Sequence, residues 1–151
     1  MIVLGLFGPG PNPSAAILMN GQIIAWAEEE RFNRIKTAPN SLPIKSTKWC
    51  LEYAGITLDQ VDKIAYGWDC PNYVTNTKDF FISQREIFSD SSIYNQLQEE
   101  LYLNIYNPER IKFQLQLGLG SLSSTHKLPE IVYFKHHECH AASAYFSSGF
   151  T

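Results

Sequence analysis

The first 28 residues narrow the folds open to this chain more than any later stretch. Met1 to Phe7 is an apolar, β-rich run that reads as a buried strand. Gly8-Pro9-Gly10-Pro11-Asn12-Pro13 follows it with almost nothing but chain breakers. Ser14 to Met19 reads as a second strand, Asn20-Gly21 as a hairpin turn that prefers positive φ, and Gln22 to Glu28 as a third strand.

Beyond the third strand, Glu28-Glu29-Glu30-Arg31-Phe32-Asn33-Arg34-Ile35-Lys36 is dense in charge and reads first as a solvated face or loop, with Arg34 spaced to pair with Glu30. Asn40-Ser41-Leu42-Pro43 has the polar cap and first-turn proline of a helix start; Ile44 to Tyr53 continues the helix and Gly55 stops it. Thr57 to Val61 forms a short helical turn. Ile64 to Trp68 is a strand, with Asp69 at its end either a catalytic carboxylate or a turn former. Cys70 to Ser92 is polar and aromatic with weak patterning. From Ile93 to Tyr106, Leu97, Leu101 and Ile105 recur every fourth residue, as in an amphipathic helix, and Asn107-Pro108 ends it. That stripe reads as packing rather than as a cofactor box. Glu109 to Leu119 forms another short helix, stopped by Gly120. Residues 71–127 then read as a helical insertion between core strands, covering the site or a partner.

The chemistry concentrates near the C-terminal end. Ile131-Val132-Tyr133-Phe134 reads as a short buried strand, and Lys135-His136-His137-Glu138-Cys139-His140 follows it. Three of the four histidines of the chain lie between positions 136 and 140. If His136 to Ala144 is helical, His136 and His140 share one face a turn apart, the spacing by which two imidazoles reach one metal ion or a phosphate. His137 with His140 is a second pairing, and a hydrogen-bonded core histidine is the plain alternative. Two ligands are fewer than the usual three or four, so the others must come from elsewhere.

Composition excludes several classes. A chain of 151 residues, 44% hydrophobic and 18% charged, suits one globular domain with a sizeable core. A net charge of −3 argues against a nucleic-acid surface. Cys50, Cys70 and Cys139 are scattered without a CxxC motif, which points to reduced thiols and a cytoplasmic setting. No apolar run is long enough for a membrane span, and the N-terminus has no signal-peptide pattern. Phe150-Thr151 closes the sequence without a cap or polar tail, which reads as the end of an N-terminal fragment or split reading frame; a natural short product is the alternative.

Two blocks carry a resemblance. His136 to Phe150 is similar to the His-His-x-x-His-Ala-Ala-Ser-Ala block of the O-carbamoyltransferases, a family serving nodulation-factor and antibiotic biosynthesis. Gly21 to Lys36 resembles that family's Asp-Gly-x-Ile-Val-Ala-Ala-x-Glu-Glu-Glu-Arg-Phe-x-Arg-x-Lys, and the likeness extends through the opening strand and Leu42 to Tyr66. The resemblance implies an α/β, ribonuclease-H-like fold, as in actin, sugar kinases and heat-shock ATPases: a mixed sheet flanked by helices, incomplete here, with the C-terminal remainder and a second domain absent. In that superfamily the first turn approaches nucleotide phosphates through backbone amides, which makes Gly8, Gly10 and Ser14 the cofactor-binding candidates. An ordinary tight hairpin is the alternative, since three prolines remove three amide donors. Lys36 is the cation carried over to neutralise charge on a carbamoyl or phosphate group, with Arg34, if it does not pair with Glu30, a second candidate for that work. Alignment on Ser14-Ala15-Ala16 places Gly10 near the family's first-turn histidine, Asn12 near its aspartate and Phe7 near its asparagine, and Thr37 stands where a histidine often follows the lysine. Asn12, the second catalytic candidate, can hydrogen-bond but cannot serve as a base at neutral pH.

The implied activity is a two-step transfer. Carbamoyl phosphate and ATP form a carbamoyl-adenylate in the C-terminal domain, and the ribonuclease-H-like domain passes the carbamoyl group to an acceptor hydroxyl. An iron-type divalent metal held by His136, His140 and later aspartates would bind nucleotide phosphates and polarise the carbonyl. The next candidate ligand lies beyond Thr151, so this chain alone is expected to bind metal weakly and to turn nothing over. A non-catalytic binding or assembly module of the same fold is a second reading, favoured by Gly10 and Thr37. A relative of the tRNA threonylcarbamoyl-transfer proteins is a third, which the Glu-Glu-Glu-Arg-Phe block and the acidic balance oppose. A homo-oligomer stays open.

Overall fold

The structure, a computed structural model, describes residues 1–88 and 93–149. Phe150-Thr151 and the last positions of the stretch ending at Ser92 lie outside the described residues. Five strands, β1 (Ile2–Phe7), β2 (Ser14–Met19), β3 (Gln22–Glu28), β4 (Lys63–Tyr66) and β5 (Glu130–Tyr133), form one sheet in the order β3-β2-β1-β4-β5. β1, β2 and β3 make an antiparallel meander. β4 runs parallel to β1, and β5 parallel to β4. A meander continued by two parallel strands and flanked by helices is the ribonuclease-H-like arrangement. The first three strands begin and end where the breakers require. Both central residues of the second connection, Asn20 and Gly21, take positive φ, 52° and 84°. β4 is shorter than its apolar run, because the chain turns at Gly67-Trp68 into the next helix.

Among the described residues six α-helices accompany the sheet: α1 (Glu30–Asn33), α2 (Ile44–Ala54), α3 (Cys70–Phe88), α4 (Ile93–Ile105), α5 (Pro108–Leu119) and α6 (His136–Ser147). Alternate strand residues Leu4, Leu6, Ala15, Ile17, Ala25, Ala27, Ile64 and Tyr66 are buried, the period of two expected of a sheet with one face on the core. Cys50 and Leu51 of α2 join them, as do Ile111, Leu115 and Leu119 of α5, all three fully buried. Each such aliphatic side chain contributes about 1.5–3 kcal/mol through burial. The segment read as an insertion is therefore two things. α3 and α4 pack chiefly against each other, whereas α5 belongs to the core. The Asn107 side chain caps α5, accepting from the Glu109 and Arg110 amides. Gly118 lets α5 lie against α2, since a Cβ there would run into the Ile44 side chain. Cys70 to Phe88, weakly patterned in sequence, is one 19-residue helix whose partner is α4.

The charge-dense segment departs most from expectation. It is not simply a solvated face, because Glu29 is only 4% exposed. Its carboxylate accepts from the Lys45 amide at 3.1 Å, the Ser46 amide at 2.8 Å and the Ser46 hydroxyl at 2.8 Å. A carboxylate thus closes the N-terminus of α2, where free amides and the helix dipole favour negative charge. The Glu29 amide donates to the Pro13 carbonyl at 2.8 Å, so one residue ties β3 to both the opening turn and α2. The proposed Arg34–Glu30 pair is not formed. Arg34 takes a left-handed conformation at the end of α1, and Glu30 pairs instead with Arg31 at 3.6 Å and Lys36 at 3.5 Å.

Replacing Glu29 with alanine strands buried donors and should lower stability by about 1–3 kcal/mol in urea unfolding, with Glu29→Gln costing less. Ile111→Ala should cost about 2–5 kcal/mol, the range for a core aliphatic; a loss within the noise would show that α5 is not part of the core.

Candidate functional site

A cleft of about 410 Å³ opens where β1 and β4, neighbouring parallel strands, reach their carboxyl ends. β1 leads away to β2 on one side and β4 to β5 on the other. Such a divergence leaves a crevice, and ligands of open α/β sheets bind there. Phe7 at the end of β1, Pro11 and Asn12 of the opening turn, Ser14 at the start of β2, and Gly67 just after β4 line it. His136, Cys139 and His140 of α6 complete the lining.

α6 begins two residues after β5, and the strand ladder runs on to it: the Phe134 amide donates to the Tyr66 carbonyl at 2.9 Å. This fixes where His136 emerges. His136 and His140 lie one turn apart with Nε2 atoms 3.0 Å from each other. His136 Nδ1 lies 3.2 Å from the Gly67 carbonyl, which can only accept, so the bond there places the proton on Nδ1 and frees Nε2 toward the cleft. His137 is exposed and stands beside the pair, its ring centroid 6.0 Å from that of His136, and is not on the cleft.

This geometry can be tested against a bound ion. Two imidazole nitrogens, each about 2.0–2.1 Å from one divalent metal, stand roughly 2.8–3.4 Å apart across a right or tetrahedral angle. The observed separation fits the lower end. The backbone carbonyl on the far nitrogen is the usual outer partner of a ligating histidine. Among the described residues no group of three or more histidine, cysteine, aspartate or glutamate side chains could hold an ion.

The other sequence candidates are distributed unequally. Asn12 and Ser14 line the cleft with the imidazoles. The Asn12 amide donates to the Thr37 carbonyl at 2.8 Å, and the Thr37 amide donates to Glu30 at 2.6 Å. These bonds hold the opening turn to the charged segment and keep the Glu30 carboxyl below its ordinary pKa, the Thr37 amide being the main cause. Gly8 and Gly10 are buried behind the cleft wall rather than on it. At Gly8, with φ 143°, a Cβ would stand 2.9 Å from the Ser41 carbonyl oxygen, so this glycine serves close backbone packing. Lys36 is largely exposed, paired with Glu30, and does not line the cleft. Asp69 bonds the Asn72 side chain at 2.6 Å in the first turn of α3, the part of a turn former.

Sequence reasoning missed Phe7, Trp68 and Cys139. The Phe7 ring stacks on His136 with centroids 5.0 Å apart, and the Trp68 ring lies 4.7 Å from it. Phe7 ends β1 and Trp68 comes two residues after β4, the carboxyl ends of parallel strands where α/β sites gather, and that was the available signal. The Cys139 thiol is partly buried, and its pKa is raised by burial first and by the Glu138 charge second.

Residues 12–151 match the family described as Carbamoyltransferase N-terminus. The chain is similar to the nodulation protein NolNO of Sinorhizobium fredii, 36% identical over 138 residues, which covers 91% of this chain and 18% of that protein. An uncharacterized protein of Synechocystis is 33% identical over 156 residues, covering 98% of this chain and 23% of that one. This chain therefore spans 18% to 23% of the length of these relatives. Among solved structures, YeaZ from Pseudomonas aeruginosa aligns with a TM-score of 0.47 at 15% identity, over 98% of this chain and 50% of that one.

In equilibrium dialysis against Co2+, His136→Ala and His140→Ala should each weaken binding by at least about tenfold, while His137→Ala leaves it unchanged; equal losses from all three would reject the pairing. With its thiol pKa raised, Cys139 carries less thiolate than a free thiol at any pH near 8. Its alkylation by iodoacetamide should therefore keep accelerating above the pH at which an unperturbed cysteine levels off.

Proposed function

The chain belongs to the Carbamoyltransferase N-terminus family, and from that premise we propose that it forms one wall of the transfer site of an ATP- and metal-dependent carbamoyltransferase, in which a carbamoyl group from carbamoyl phosphate, activated as a carbamoyl-adenylate, passes to an acceptor hydroxyl. The observation that carries this reading is the imidazole pair, with nitrogens 3.0 Å apart, facing Asn12 and Ser14 across one cleft. A divalent ion held there by His136 and His140 would supply Lewis-acid polarisation and counter phosphate charge. The remaining ligands have to come from residues other than those described.

The chain's own groups have separate tasks in this reading. The Asn12 amide and the Ser14 hydroxyl orient the donor or acceptor by hydrogen bonds, and neither is a base at neutral pH. The positive end of the α6 dipole faces the same region as His136 and favours an anionic phosphate. Lys36, exposed beside Glu30, brings its charge to the transferred group by a side-chain rotation rather than from a fixed seat. Buried Gly8 and Gly10 shape the turn that presents Asn12. Family membership supports the carbamoyl-transfer reading over the tRNA-directed one. A binding or assembly role remains the second reading, and one observation favours it: the opening turn brings no histidine or carboxylate to the cleft.

In the intact protein that carries these residues, label from carbamoyl phosphate should reach a hydroxyl acceptor only when ATP and a divalent metal are present. His140→Ala should lower that transfer on the order of a hundredfold, the scale of one lost transition-state contact. A folded, metal-loaded protein that transfers nothing to any hydroxyl acceptor would decide for the assembly role.

A further inference from the structure

His136 is held on three sides by groups that are not ligand candidates. Phe7 stacks on its ring with an interplanar angle of 20°. Trp68 meets it at 40°, and the Gly67 carbonyl takes Nδ1. Phe7 and Trp68 are themselves 6.3 Å apart, so the two rings approach the imidazole from directions roughly at right angles and form a corner rather than a sandwich. The corner is braced from behind. Trp68 stacks on Tyr106 at 4.3 Å and 12°, and Tyr73 meets both rings edge-on, at 5.7 Å and 4.9 Å. Tyr106 is buried. The side of the imidazole that remains open bears Nε2, aimed at His140.

A histidine with one free torsion about each side-chain bond has several rotamers and two neutral tautomers. Only one combination puts an unprotonated Nε2 beside His140. Aromatic contacts are worth about 0.5–1.5 kcal/mol beyond burial, enough to select among such states. We propose that Phe7 and Trp68 are positioning residues: together with the Gly67 carbonyl they lock His136 in the single rotamer and tautomer that can share an ion with His140, and Trp68 ties that lock to Tyr73 of α3 and to Tyr106, which follows α4. The inference rests on the reading of His136 and His140 as co-ligands. It assigns the helical segment a specific task, that of fixing a ligand ring from behind.

The test uses Trp68→Leu, Trp68→Phe and Phe7→Leu, read by Co2+ dialysis and by ring-nitrogen NMR of 15N-histidine protein. The unsubstituted protein should show His136 as the Nδ1–H tautomer. Trp68→Leu should mix the tautomers and weaken Co2+ binding by about 10- to 100-fold, the loss typical of outer-shell changes at metal histidines, and Trp68→Phe should restore most of both. If Trp68→Leu fails to fold, Phe7→Leu answers the same question with the same two readouts. Unchanged tautomer and unchanged affinity in a folded variant would overturn the proposal. Should His136→Ala and His140→Ala leave Co2+ binding intact, the co-ligand reading fails, and the tautomer ratio still decides the lock: a shift in Trp68→Leu supports it and its absence refutes it.

Discussion

One buried carboxylate organises the half of the molecule that bears the opening turn. Glu29 sits at the end of β3 with its side chain in the N-terminal turn of α2 and its amide on Pro13. A charge removed from water is tolerable only when its hydrogen bonds are replaced, and three donors replace them here. The arrangement couples the edge of the meander, the helix packed across β2 and β3, and the loop that shapes the cleft. Its neighbours extend the coupling. Glu30 holds the Thr37 amide, and Thr37 in turn holds Asn12. The acidic run is an internal brace for the turn, with Arg31 and Lys36 as its solvent-facing part.

The candidate site gains its geometry from topology and its chemistry from one helix. Parallel β1 and β4 diverge to open the crevice, and the short link from β5 delivers α6 with its first residue at the rim. Two histidines four apart then meet without further adjustment. Neither the meander nor the helix alone would create the site. Asn12 and Ser14 come from the beginning of the chain, His136 and His140 from the other end, and the sheet order places them face to face.

The parts of this picture that are legible in sequence are those governed by local rules. Breakers between apolar runs mark the first three strands, an Asn-Gly pair marks the second turn, and Asn107-Pro108 marks the end of α4. The i,i+4 spacing puts His136 beside His140 once a helix is granted. What is not legible depends on partners distant in the chain. Glu29 looks solvated because the donors that bury it come 16 and 17 positions later. α3 has no strong stripe because it leans on α4 rather than on the core. Phe7 and Trp68 give no sign of touching an imidazole some 70 to 130 positions on, although both stand at strand ends. Gly8 and Gly10 carry a phosphate-cradle reading through the family resemblance, and only coordinates reveal that Ser41 occupies the space above Gly8.

The contact between Trp68 and His136 has an optical consequence. An indole excited state loses its energy efficiently to an open-shell metal ion a few ångströms away, and the ring here lies 4.7 Å from the imidazole centroid. Of the three tryptophans, Trp26 and Trp49 belong to β3 and α2, remote from α6 in sequence and on other elements. On the proposed reading of His136 and His140 as ligands, the emission of this one chromophore would dim with a paramagnetic ion and hold steady with a closed-shell one, an intrinsic gauge of that occupancy.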